Sequence, residues 1–215
     1  MLGILCLMLP ACIDLAVNHG QNKHGVLSTQ FVDGEVYTMR GGLGGIFSKG
    51  MNRLEDLLYN DYKIHSLSTV WFRANALSAS IIKQYRSHVL REPIILVGHS
   101  LGGNDQIKVA RDLYRAHIPV ALLISIDPVS PLTVPPNVLH VVNIYKPSHL
   151  PLFSGLMVKA MDPEKTLVEN INVYDIKGID VNHFNITGNA EIQKIMLDKI
   201  LQTFSSTRAR RARDS

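Results

Sequence analysis

Ser100 is the residue whose surroundings could make it reactive. It stands in Gly98-His99-Ser100-Leu101-Gly102-Gly103, directly after the apolar run Ile94-Ile95-Leu96-Val97 and before an amphipathic stretch. A serine hydroxyl is a weak nucleophile at neutral pH, so a histidine would have to take its proton and a carboxylate would have to hold that histidine. His117, His140, His149 and His183 all follow the serine in the chain. The chemistry on offer is acyl transfer through an acyl-serine. The alternative is a glycine-rich turn whose serine only caps the following helix.

Other chemistries find less material. Both cysteines, Cys6 and Cys12, lie within the first twelve residues, so the body of the chain has no thiol nucleophile, disulfide framework or zinc knuckle. The histidines are scattered without ligand spacing, and neither a metal nor a cofactor is expected.

A serine between a strand and a helix needs a sharp turn, and Gly98 and Gly102 sit where a side chain would clash with the neighbouring backbone. The helix start would supply free amides and a partial positive charge beside the hydroxyl. Around this turn, short β-branched runs alternate with longer amphipathic stretches, the pattern of a mostly parallel sheet covered by helices on both faces. The expected strands are 35–39, 63–69, 93–98, 119–126, 138–145 and 170–176. The expected helices are 49–59, 74–89, 102–116 and 189–204.

Composition agrees with one folded unit. Of 215 residues, 46% are hydrophobic and 19% charged, which is enough apolar material for a core and too little charge for disorder. The net charge of +4 is concentrated at the end, where Arg208, Arg210, Arg211 and Arg213 face Asp214. A near-neutral body with a basic tail argues against a nucleic-acid partner. The chain divides into 1–20, a segment that could be a leader, 21–205, the α/β domain, and 206–215, a solvated and frayed tail.

At Gly98 to Gly103 the sequence resembles the α/β-hydrolase family, in the form shared by thioesterases, esterases and lipases. The resemblance covers roughly 35–204. It implies a three-layer α/β-hydrolase fold of minimal form, with the first strands short or missing, and the order serine, acid, histidine. His183, between the last strand and the last helix, holds the position of the family's catalytic base. His149 is the runner-up, and His140 reads as a strand residue. Asp127 ends the run Val120 to Ile126 before Pro128, so it should project at the carboxyl edge beside the strand of Ser100. That is one strand earlier than the commoner family position, as in some thioesterases. Asp162 and Asp180 are the reserves.

An oxyanion hole would combine the Leu101 N–H with one from Arg40-Gly41-Gly42-Leu43-Gly44-Gly45, a stretch resembling the family's His-Gly-x loop with arginine in the histidine's place. Gly42 is the candidate and Leu43 the alternative. Arg40 could steer an anionic substrate. The apolar stretch 150–161 reads as a lid or acyl-pocket wall, or as an ordinary crossover helix. The implied function is a serine hydrolase of small acyl esters or thioesters. The rival is a non-catalytic α/β-hydrolase-like protein that binds an acyl group or another small molecule.

The first thirteen residues are uncharged and apolar, and Leu9-Pro10-Ala11-Cys12 resembles a bacterial lipobox. Lipidation at Cys12, which would anchor the enzyme to a membrane, stands beside the plainer reading of a first strand.

Overall fold

The computed structural model describes residues 31–90, 92–149 and 155–214, with only the backbone at 43 and 44. Cys6, Cys12 and the segment 1–20 lie outside the described residues, as do 150–154 of the expected lid.

The main sheet comprises β1 (Val32–Arg40), β2 (Ile64–Val70), β3 (Ile94–His99), β4 (Val120–Ile126), β6 (Val138–Tyr145) and β8 (Leu167–Asn172). Its order is β2-β1-β3-β4-β6-β8, and every adjacent pair is parallel. Two short strands, β5 (Thr133–Val134) and β7 (Lys159–Ala160), pair separately. Helices α1 (Gly50–Asn60) and α4 (Ala190–Asp214) cover one face; α2 (Ala74–Arg86) and α3 (Leu101–Arg115) cover the other.

The strands form because their side chains can be buried on both faces. In β3, Ile95 and Val97 pack towards α1 and α4, whereas Ile94 and Leu96 pack towards α2 and α3. All four are fully buried, which is why this strand reads as an unbroken apolar run. The helices show the matching stripes: Met51, Leu54 and Leu58 in α1, and Ile192, Met196, Ile200 and Phe204 in α4.

The connectivity positions the site. From β1 the chain moves outward to β2, then returns past β1 to β3 and continues through β4, β6 and β8. Connections therefore leave β1 and β3 in opposite directions, which makes the carboxyl ends of these two strands a topological switch point, the place where open α/β sheets bind ligands.

Several elements depart from the sequence reading. The last strand is 167–172 rather than 170–176, because the Asn172 side chain accepts the Tyr174 N–H at 3.0 Å and turns the chain into a 3₁₀ helix, Val173–Asp175. α2 stops at Arg86 rather than at 89. The expected frayed tail is instead helical to Asp214, and its residues from 208 to 214 are exposed. Arg211 ties this extension down by donating to the Glu92 carbonyl at 2.9 Å. The described half of the expected lid is extended chain ending in β7, so it is not a crossover helix.

Candidate active site

Ser100 sits between β3 and α3 with φ 58° and ψ −126°, a conformation that costs a non-glycine residue of order 1–3 kcal/mol. Its amide donates to the Ile126 carbonyl at 2.8 Å, which helps to hold the turn. The glycines make the turn possible. A Cβ at Gly98 would collide with the backbone of Gly102 and Gly103, and one at Gly102 with the Met39 carbonyl of β1. The serine side chain makes no cap hydrogen bond to α3, so the capping alternative does not apply.

Its hydroxyl instead donates to His183 Nε2 at 2.9 Å. The opposite ring nitrogen, Nδ1, donates to Asp127 Oδ2 at 2.6 Å. A carboxylate can only accept, so the hydrogen lies on Nδ1 and Nε2 is left to receive a proton. The three side chains are separated by 83 and 56 residues along the chain and are all buried.

Asp127 leaves the end of β4 with φ 50°. Its Oδ1 accepts the Lys146 N–H at 2.7 Å, so both carboxylate oxygens are engaged. The Lys146 ammonium also donates to the carbonyl of Val181, two residues before the histidine. One residue just past the end of β6 thus grips both Asp127 and the loop of His183. That loop is folded locally by paired asparagines: Asn182 Oδ1 accepts the Phe184 N–H at 2.9 Å, and Asn185 Oδ1 accepts the Asn182 N–H at 2.7 Å. Gln193 of α4 fastens it to α1 by donating to the carbonyls of Thr187 at 2.6 Å and Gly50 at 2.8 Å.

Beside Ser100, the loop after β1 passes Gly41 and Gly42 and enters a 3₁₀ helix, Leu43–Ser48. A Cβ at Gly41 would stand 2.8 Å from Ser100 Cβ, so this backbone approaches the serine closely. The Gly41 N–H is taken by Ser48 Oγ at 3.1 Å. Leu101 opens α3, where an amide has no carbonyl one turn back to bond.

The remaining expected residues stand elsewhere. His140 pairs with Glu169 at 2.6 Å, and His117 and His149 are exposed. Asp162 pairs with Lys165 at 3.1 Å, which together with local hydrogen bonds keeps its carboxyl below the usual range. Asp180 lines a groove of about 410 Å³ with Phe47, Lys49, Arg53 and Phe184. Arg40 is 2% exposed and its side chain packs against Gly45, so it is not presented to solvent.

Sequence reasoning passed over His99 and Ser48. His99 Nδ1 lies 2.7 Å from Ser48 Oγ, and Nε2 lies 3.0 Å from the His183 carbonyl. Burial, together with the neighbouring His183, pushes the His99 pKa down to about 3. The only signal in the sequence is the place of His99 between Gly98 and Ser100, directly after an apolar strand; the structure extends that strand to include it.

No protein-family model matches the chain, and no curated protein does. Solved structures resemble it at low identity. A hyperthermophilic esterase from the archaeon Pyrobaculum calidifontis superposes with a TM-score of 0.51 at 13% identity, covering 82% of this chain and 77% of that one. An arylesterase superposes with a TM-score of 0.51 at 11% identity, covering 81% and 76%. The NocB thioesterase domain from the nocardicin cluster gives 0.48 at 12% identity, covering 81% and 95%. Together with the all-parallel main sheet and its order, the likenesses to the two esterases that superpose at 0.51 show that the chain has the α/β-hydrolase fold.

Proposed function

We propose that this protein is a serine hydrolase that cleaves an ester or thioester through an acyl-Ser100 intermediate. The observation that carries the reading is the unbroken hydrogen-bonded path from Ser100 through His183 to Asp127 on a strained strand-to-helix turn.

In this reading Ser100 Oγ attacks the carbonyl carbon while His183 Nε2 takes the hydroxyl proton. Asp127 holds the imidazole by Nδ1 and stabilises its positive charge. The negative charge on the carbonyl oxygen is met by the N–H groups of Leu101 and Gly42. The bond to the alcohol or thiol then breaks, and His183 returns its proton to the leaving group. Water enters, loses a proton to His183 and attacks the acyl-serine; collapse releases the acid and restores the Ser100 hydroxyl. The substrates are small acyl esters or thioesters, and no step calls on a metal or cofactor.

A fluorophosphonate probe tests the reading directly. Labelling confined to Ser100, absent in Ser100→Ala, is the expected result. An unlabelled wild-type chain that also fails to turn over any ester or thioester would favour the binding-protein alternative. Comparing p-nitrophenyl esters with acyl-pantetheine substrates assigns the leaving group.

A further inference from the structure

His99 stands directly before Ser100, is 1% exposed, and is not used in the acyl-transfer steps. Its two hydrogen bonds determine its tautomer. The His183 carbonyl, 3.0 Å from Nε2, can only accept, so Nε2 carries the hydrogen and Nδ1 is bare. Ser48 must then donate its hydroxyl hydrogen to Nδ1 at 2.7 Å, leaving Ser48 Oγ free to accept the Gly41 N–H at 3.1 Å. The path runs in one direction, from the Gly41 amide through Ser48 and His99 to the His183 carbonyl. It crosses all three loops of the site: the loop after β1, the turn of Ser100 and the loop of His183.

We infer that His99 is a positioning residue, which fixes at once the loop that offers an amide to the reacting carbonyl and the backbone of the base. The inference rests on the acyl-transfer reading. On the first loop, binding Gly41 to Ser48 turns that amide to a structural use and leaves the next one, Gly42, for the oxyanion. On the last loop, the bond to the His183 carbonyl holds the residue whose ring must meet Ser100 and Asp127 together. A protonated ring could not accept from Ser48, and its charge would oppose the imidazolium that forms on His183, whose ring centroid is 5.0 Å away. The low pKa of about 3 keeps His99 neutral at neutral pH.

The test uses the full chain as wild type, His99→Ala, Ser48→Ala, the double variant and His99→Gln. It reads kcat and KM on p-nitrophenyl acetate and the downfield NMR proton of the His183–Asp127 hydrogen bond. His99→Ala should lower kcat by about 10–100-fold and leave KM within about threefold, as for a misplaced catalytic group. Ser48→Ala should lose less and keep the downfield proton. The double variant should be no worse than His99→Ala, because both changes cut one path. His99→Gln, whose amide can still donate to the His183 carbonyl, should restore the proton that His99→Ala broadens. Unchanged kcat in His99→Ala, additive losses in the double variant, or an unchanged proton in His99→Ala would overturn the inference. A wild type that shows the proton but turns over no ester or thioester would defeat the functional reading instead. The hold of His99 on the base would then be judged by the proton alone.

Discussion

Gly155 passes over Asp127 so closely that a Cβ at position 155 would overlap Oδ1, the oxygen that accepts the Lys146 N–H at 2.7 Å. The segment is pinned there, since the Gly155 N–H donates to the Lys146 carbonyl at 2.9 Å and the Leu156 N–H to the Pro128 carbonyl at 3.0 Å. What the sequence offers as a lid is, in its described part, a cover over Asp127, which is fully buried.

Gly155→Ala should therefore act on the acid rather than on a binding pocket. The added methyl must displace either the carboxylate or the segment, costing about 1–3 kcal/mol of stability. Loss of the carboxylate's aim should lower kcat by about 10²-fold with little change in KM. Thermal melting and steady-state kinetics on one p-nitrophenyl ester check both, and an alanine variant with full kcat would show that the cover does not touch the acid's function.

Removing the members of the hydrogen-bonded path should not give additive losses. Ser100→Ala and His183→Ala are each expected to lower kcat by about 10⁴–10⁶, and the double variant to be hardly worse. Asp127→Asn should cost on the order of 10⁴ by favouring the wrong tautomer. Kinetics of the single and double variants decide the point, and multiplying losses would mean that Ser100 and His183 act separately.

Gly42 offers a way to delete one amide without adding a polar group. Its φ of −61° already suits proline, and a Cβ there meets only Leu101 Cδ1 at 3.2 Å. Gly42→Pro should fold and lose about 10²–10³ in kcat, the effect of one oxyanion donor. Normal turnover in the proline variant would transfer that role to another amide, with Leu43 next in line.

A buried group, His99, and a half-buried one, Glu35, pull stability in opposite directions with pH. His99 falls from 6.5 to about 3 on folding, so its contribution is complete above pH 6.5 and is lost as pH drops towards 3. Glu35 is raised by burial from 4.5 to about 7, so its contribution is complete below pH 4.5 and is lost as pH rises through 7. Between pH 4.5 and 6.5 the two slopes offset each other. Glu35→Gln, which stays neutral, should stabilise the fold at pH 8 by about 1–3 kcal/mol and bring no gain at pH 4. Urea midpoints at the two pH values measure this, and an equal effect at both would exclude ionisation of Glu35 as the cause.

Local requirements are what the sequence expresses well. The two glycines around Ser100 are legible because a turn from strand to helix admits no side chain there. β3 and β4 are legible because strands buried on both faces carry apolar residues at nearly every position. β8 was misplaced for the same reason in reverse: it is an edge strand with half-exposed residues, and a single asparagine ends it.

By itself, then, the sequence determined the sheet of buried strands, the helix stripes and the turn that presents Ser100, since each depends on residues within a few positions of one another. Only the tertiary structure decided the rest. The pairing of Asp127 with His183 spans 56 residues, and the reach of His99 to the His183 carbonyl spans 84. The approach of Gly155 to Asp127 depends on where the end of β6 and the segment after it lie. Such contacts come from the order in which the strands assemble and from backbone groups that any residue carries; the family resemblance pointed to Asp127 and His183, but no residue type marked the contacts of His99 or Gly155 in advance.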